Sequence, residues 1–384
     1  MVLLAVAALG LSGCLAPTGG GGGGGGNAAP SAAPTDKKEF NIAIVRWASD
    51  DIFFNGVQAG EEQQIKEIEQ ANGVKINFKV VAANDASAQL DGLRSLVAQG
   101  IDGVSLVPWR GESMVAQLKQ LEGSNTPVVV HNLTVPGQTA PFVAFDNVAA
   151  GALAGTAIVN ELKTARGDDW ASKGGSIIIL RGDVTNSFDR DRFAGYMSVF
   201  QPIVDANPQV KIVERANLGY QASPARKAVE DAITSSGVAN VLAVGSVDGT
   251  MAVGGAIPAL KTAGAVVAKG QPNRVAVTSM DCSKPELDSI SAGELTHCSE
   301  QPAIAEGRIV QNVLFAMMRG GTLTPPDDAA QLSGSEGAPW APVEVATRDD
   351  VAGKWFKTKA FALPGAVPVD SPFHWATTPG VAGS

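Results

Sequence analysis

Positive charge is in short supply in this chain: 29 Lys and Arg stand against 38 Asp and Glu, a net charge of -9. Binding a polyanion needs the opposite balance, so nucleic acid and an anionic membrane face are not expected partners. Histidine is scarcer still. His131, His297 and His374 are the full set, and none sits in His-Glu-x-x-His or beside a Gly-x-Ser-x-Gly elbow, so zinc-protease and serine-hydrolase chemistry lack their parts. The eight glycines from Gly19 to Gly26 are followed by no Gly-Lys-Ser/Thr, and no Gly-x-Gly-x-x-Gly follows the first strand, which removes the phosphate-cradle readings. No spaced-acid calcium loop occurs either. Neither a metal nor a cofactor is expected. Aromatic residues are 5% and charged residues 17% of the chain, and beyond the leader no apolar run nears the ~18 residues that span a bilayer.

What is present is apolar mass. The 384 residues are 45% hydrophobic, more than one core usually holds, so two lobes are expected. Residues 1–13 form an apolar run ending Leu11-Ser12-Gly13-Cys14, read as a signal peptide, and residues 14–39 form a Gly-rich linker that cannot pack. The junction resembles the bacterial lipobox. That resemblance implies lipidation at Cys14 and an extracytoplasmic protein whose contact with the cell membrane is its lipid anchor; the competing reading makes residues 1–13 a buried N-terminal strand. Apart from Cys14 there remain Cys282 and Cys298. They form either a disulfide, worth about 3 kcal/mol for a loop of that size, or two buried thiols.

From Phe40 onward β-branched apolar runs alternate with segments of helical period. Strands are expected at Ile42–Arg46, Lys75–Val81, Gly103–Val107, Pro127–His131, Ser176–Leu180, Val210–Ala216, Val241–Val244, Arg274–Met280 and Leu295–Ser299. The clearest helix is Asp85–Gln99, with Ala86, Leu90, Leu93 and Val97 on one face and Gly100 as its stop. Continuously apolar strands are covered on both faces, which makes the fold α/β with two doubly wound parallel-sheet lobes. The lobes are drawn as 40–145 plus 301–335 and 146–300 plus 336–384. They are joined by a hinge of three chain crossings near Asp146, near Glu300 and after Gly320; the tail from Gly320 to Ser384 is expected to wrap the lobes.

Ligands of such sheets lie beyond the carboxyl ends of the strands. Those positions carry Asp50-Asp51-Ile52-Phe53-Phe54, Pro108-Trp109-Arg110, His131-Asn132, Arg181-Gly182-Asp183 with Asn186, Arg190 and Arg192 downstream, Gly219-Tyr220, Asp248-Gly249, Asp281-Cys282 and Glu300-Gln301. The arrangement suits a sugar, whose hydroxyls call for charge-assisted hydrogen bonds and whose C–H faces call for aromatic rings. Asp51, Asp248 and Asp281 are candidate acceptors, Arg190 and Asn186 candidate donors, and Phe53 and Tyr220 candidate stacking rings. The competing readings are local: an Asp after a strand is often a helix N-cap, one of Phe53 and Phe54 belongs in the core, and Trp47 and Trp109 read as lobe packing. Arg192 ranks below Arg190, because it can pair with Asp189 or Asp191 on the helix surface.

The order of these segments resembles the bacterial periplasmic sugar-binding proteins of the ribose and galactose type, the extracytoplasmic receptors of ABC importers, from Asn41 to about Gly320. The resemblance implies a ligand set of Asp51, Phe53, Asn132, Asn186, Arg190, Tyr220, Asp248, Asp281 and Gln301, with Asp50, Phe54, Trp109, Arg192 and Glu300 in second rank. It also implies a monomer that gives a small sugar or polyol to ABC permease subunits and performs no catalysis. Asn132-Leu133 stands where the family often has Asp-Arg, and Asp248 where it has Asn. The surplus of acid leaves a cationic ligand such as an amino sugar or amine as an alternative, and a sensory receptor for a sugar-like signal is the other.

Overall fold

The computed structural model describes residues 35–47, 51–320, 326–332, 335–365, 367–378 and 381. Chain order is β1 (Glu39–Trp47), α1 (Ile52–Asn72), β2 (Lys75–Ala83), α2 (Ala86–Ala98), β3 (Gly103–Leu106), α3 (Gly111–Gly123), β4 (Val128–His131), β5 (Phe142–Phe145), α4 (Asn147–Arg166), α5 (Trp170–Lys173), β6 (Gly175–Leu180), α6 (Ser187–Ala206) and β7 (Val210–Arg215). It continues with α7 (Ala222–Ser236), β8 (Val241–Ser246), a π-helical turn at Met251–Ala256, α8 (Ile257–Thr262), β9 (Ala276–Met280), α9 (Lys284–Ser291), β10 (His297–Glu300), α10 (Ala303–Arg319), α11 (Pro326–Ala329), β11 (Glu344–Arg348), β12 (Val351–Thr358) and β13 (Phe361–Leu363).

The strands form two sheets, in the orders β11-β12-β5-β4-β3-β1-β2 and β13-β10-β9-β8-β6-β7. All pairings are parallel except β11 with β12 and β10 with β13. β3, β4, β5, β8 and β9 are buried along their whole length, as continuously apolar strands between helical layers must be. The helix expected at Asp85–Gln99 is α2, capped by the Asp85 carboxylate on the Ala88 amide and ended at Gly100, where φ is +79°.

The chain crosses between lobes at β5 to α4, at β10 to α10 and at β12 to β13. The third crossing corrects the expected boundaries. Residues 344–358 are two further strands of the first sheet, so the first lobe extends past 335 and the tail returns to the second lobe at β13. The tail reads poorly in sequence because the edge strand β11 has no buried residue and its neighbour β12 largely alternates buried with exposed residues. The tail adds strands to both sheets.

Two helices that follow crossings are packed backbone to backbone against helices that carry site residues. A Cβ on Gly60 of α1 would stand 2.1 Å from the Ile304 carbonyl of α10, and one on Gly307 of α10 would stand 2.1 Å from the Val57 carbonyl of α1. Gly151 of α4 and Gly195 of α6 meet in the same way, the former against the Arg192 carbonyl. A side chain at any of the four would push the helices apart, at a cost of roughly 1–3 kcal/mol.

Candidate functional site

The carboxyl ends of both sheets face one cleft of about 780 Å³. Asp51, Phe53, Asn132, Asn186, Tyr220, Asp248, Asp281 and Gln301 all line it, as do Phe54, Trp109 and Arg192 from the second rank. The lobes are closed over it. Arg110 Nη2 lies 2.9 Å from Asp183 Oδ2 at its margin, Arg348 reaches Asp191 at 2.8 Å, and the Thr134 amide donates to Ser187 Oγ at 3.0 Å, each pair bridging the lobes.

The order of the two arginines is reversed. Arg190 is exposed, outside the cleft, and donates to the Thr185 carbonyl. Arg192 is 2% exposed and lines the cleft. They lie two residues, about 200°, apart on α6, whose inward face is Phe188, Arg192, Tyr196 and Phe200 at spacings of four. Arg192 donates to Asn147 Oδ1 at 2.8 Å, the Val247 carbonyl at 2.6 Å, Asp281 Oδ1 at 2.8 Å and Gln301 Oε1 at 2.8 Å, and its guanidinium lies over the Phe188 ring at 4.9 Å. Gln301 then donates to Asn132 Oδ1 at 3.1 Å and Glu306 Oε2 at 2.7 Å, and His131 meets the same Glu306 oxygen at 2.9 Å. One hydrogen-bonded chain therefore runs from the second lobe through the second crossing into the first lobe.

Two of the acids are caps and cleft residues at once. Asp51 Oδ1 accepts from the Phe54 amide at the start of α1, and Asp248 Oδ1 accepts from the Met251 amide. Both stay partly exposed to the cleft. Burial, with the nearby Asp281 charge, pushes Asp51 up to about 6 and Asp248 up to about 8. Burial likewise raises Glu286 to about 8, with Asp281 adding to it; Glu286 sits where a Cβ on Gly249 would be, and Ser283 and Ser279 hydrogen-bond to it. Glu286 lines the cleft and was not among the expected residues; its place in the Ser283–Glu286 capping box was its one sequence signal.

The rings form a wall across the closed lobes. Trp47 lies 4.8 Å from Trp109 and 5.4 Å from Phe54 within the first lobe, and 5.7 Å from Tyr220 and 6.4 Å from Phe188 of the second. Trp47 and Trp109 are thus lobe packing and cleft lining together. Phe188, absent from the expected set, lines the cleft two residues after Asn186. Gly182 lets the Tyr220 ring lie against the backbone, since a Cβ there would be 2.0 Å from the ring.

Glu300 turns away from the cleft, and Gln301 is the member of that pair that lines it. Glu300 is fully buried and meets His374 Nδ1 at 2.5 Å in the tail. Burial pushes Glu300 up to about 7 against that bond. The next tail residue, Trp375, packs edge-on against Phe53 and donates from Nε1 to the Asp281 carbonyl at 2.8 Å. Asp281 and Cys282 both have positive φ, +83° and +57°, and Cys282 is disulfide-bonded to Cys298 of β10. A non-glycine backbone in that region persists when its surroundings fix it, and the disulfide and Trp375 hold it from two sides. Asp50 and Cys14 lie outside the described residues.

Among the described residues no helix is long and apolar enough to cross a membrane. A family profile described as a periplasmic binding protein domain matches residues 42–322. The ribose import binding protein RbsB of Bacillus subtilis is 23% identical over 286 residues, covering 74% of this chain and 84% of that protein. The xylitol-binding protein of Mycolicibacterium smegmatis is 25% identical over 297 residues, 76% of this chain and 75% of that protein. Among solved structures, the Caulobacter myo-inositol binding protein bound to myo-inositol superposes with a TM-score of 0.64 at 18% identity, covering 86% of this chain and 95% of that one. These relatives are named as binding proteins and not as enzymes.

Proposed function

Because the chain belongs to the periplasmic binding protein family, we propose that it is the extracytoplasmic receptor of an ABC importer and holds a monosaccharide or sugar alcohol between its lobes. The family and its named sugar- and polyol-binding relatives support this reading. The observation that carries it is the joining of Arg192, Asp281, Gln301 and Asn132 into one network lining a cleft whose other wall is aromatic. Carboxylate and amide oxygens accept from sugar hydroxyls, and the rings cover the C–H faces. Contacts from both lobes exist together in the closed form, so ligand shifts the population toward closure, and a permease reads the closed shape. In this reading Cys14 carries the lipid anchor, the protein is a monomer, and the first-rank site is Asp51, Phe53, Asn132, Asn186, Tyr220, Asp248, Asp281 and Gln301, with Arg192 in place of Arg190.

The test is a thermal-shift and calorimetry screen against pentoses, hexoses, pentitols and inositols, with amino analogues included. A bound ligand raises the melting midpoint as its concentration exceeds its dissociation constant, and Asp281→Asn is expected to abolish the shift. No midpoint change with any sugar, polyol or amino analogue would overturn the receptor reading.

A further inference from the structure

The cleft is lined by five carboxylates, Asp51, Asp183, Asp248, Asp281 and Glu286, and by two guanidiniums, Arg110 and Arg192. Arg110 is paired with Asp183. Arg192 directs its donors to Asn147, Val247, Asp281 and Gln301. The ion pairs of the two cleft arginines do not reach Asp51 or Asp248; the Arg46 charge acts on Asp51 from outside the lining, and both acids reach the cleft. A second observation points the same way: Asn186 is 3% exposed and lines the cleft, and its Oδ1 accepts no hydrogen bond among the described residues. The closed cleft thus offers acceptors in excess of donors and negative charge in excess of positive.

We propose that the ligand of this cleft is a sugar or polyol carrying a protonated amine, held by Asp51 and Asp248 in a cleft walled by Trp47, Trp109 and Tyr220. The inference rests on the receptor reading above and narrows its ligand class. An ammonium brings three donors to an acceptor-rich site, its charge-assisted hydrogen bonds strengthen where water is excluded, and aromatic faces attract it. A bare metal ion fits less well, since no group of three or more acidic, histidine or cysteine side chains among the described residues is placed to clasp one.

Binding of such a ligand is linked to pH. The groups acting on the two acids are Asp281 and Arg46 for Asp51, and Asp281, Asp51 and Arg192 for Asp248; Arg192 and Glu306 act in turn on Asp281, and Asp281 on Glu286. Arg46 is engaged by Gln58 and Asn55 of α1. Burial favours the protonated acids in the empty cleft, so a cationic ligand displaces protons and its affinity rises with pH, by up to about tenfold per unit for each proton released. A neutral polyol has no such dependence to gain from these charges.

The experiment is calorimetry on the full chain at pH 6, 7 and 8 with matched triplets: D-ribose, D-xylose, D-glucose, xylitol or myo-inositol, the analogue in which an amine replaces one hydroxyl, and its N-acetyl form. At least one amine is expected to bind about 30-fold or more tighter than its neutral and acetylated partners, with the advantage growing toward pH 8. Asp248→Asn and Asp51→Asn, each checked for an intact melting transition, are expected to shrink that ratio about tenfold or more. A neutral compound that binds tighter than its amine overturns the amine inference and leaves the receptor reading standing. An amine preference unchanged in both variants and flat with pH overturns the assignment to Asp51 and Asp248. Failure of every compound to bind overturns both readings.

Discussion

The two lobes share a fold and divide the chemistry. The first lobe gives the cleft Trp47, Phe53, Phe54, Trp109, Arg110 and Asn132, with Asp51 as its carboxylate, whereas the second gives Phe188 and Tyr220 together with Asp183, Asp248, Asp281, Glu286 and Arg192. Rings line both sides, but four of the five lining carboxyl groups belong to the second lobe. The difference teaches why the site needs closure. An isolated second lobe would leave its charges in water, where ion pairs and hydrogen bonds are weak, and an isolated first lobe would expose an apolar wall. Bringing them together excludes water from the charges and gives the rings something to cover. The connection between the walls is Arg192–Gln301–Asn132, which passes through the second crossing.

Breaking that connection should have the largest effect. Arg192→Ala leaves Asp281 and Gln301 without their donor in a buried place, so a stability loss of about 3–5 kcal/mol is expected in urea unfolding, together with loss of measurable ligand binding. Arg190→Ala, on the opposite face of the same helix, should change neither beyond about 0.5 kcal/mol. Equal effects from the two would refute the division of the helix into cleft and solvent faces.

The acidic wall predicts an intermediate effect. Carboxyls whose folded pKa is raised above the ordinary value contribute stability that is complete below that value and lost as pH rises through the folded one. For Asp51 this loss runs from about 4 to about 6, and for Asp248 and Glu286 to about 8. His374, raised by Glu300 in spite of its burial, loses its share in the same direction. His297 has the opposite sign: burial lowers it to about 3, so its share is gained between about 3 and 6.5. The ligand-free melting midpoint should therefore peak in mild acid and fall by several degrees toward pH 8. A midpoint that climbs steadily to pH 8 would contradict a charge-heavy second wall.

The smallest effect belongs to the margin of the cleft. Arg110 is more than half exposed, so the Arg110–Asp183 bridge is screened by solvent; Arg110→Ala should weaken ligand binding by no more than about fivefold, through the open-to-closed balance. That loss should shrink further in high salt. A salt-insensitive loss would mean that Arg110 touches the ligand instead of bridging the lobes.

The parallel core was legible because buried strands must be apolar on both faces: Gly103–Val107 and Pro127–His131 were read within a residue of their observed ends. Asp51 and Asp248 were legible as residues at strand ends, and their two readings, cap and cleft residue, hold together because a carboxylate has two oxygens. Arg192 was misranked because its neighbours Asp189 and Asp191 offered surface partners in sequence, whereas in space they pair with Arg181 and Arg348. The third crossing was placed too early, since β11 has no buried residue and β12 largely alternates, so neither carries the apolar run of a core strand. Phe188 and Glu286 looked like ordinary helix residues.

By itself the sequence determined the composition of the molecule: two apolar parallel sheets, an acidic surplus, and polar and aromatic residues gathered at strand ends. Those follow from local periodicity and residue chemistry, which need no knowledge of what lies opposite. The tertiary structure alone decided which arginine enters the cleft, which of Glu300 and Gln301 faces it, and that the tail's Trp375 props Asp281 from behind. Each of those is a contact between residues far apart in the chain, set by helix phase and sheet order, and no short window of sequence contains both partners.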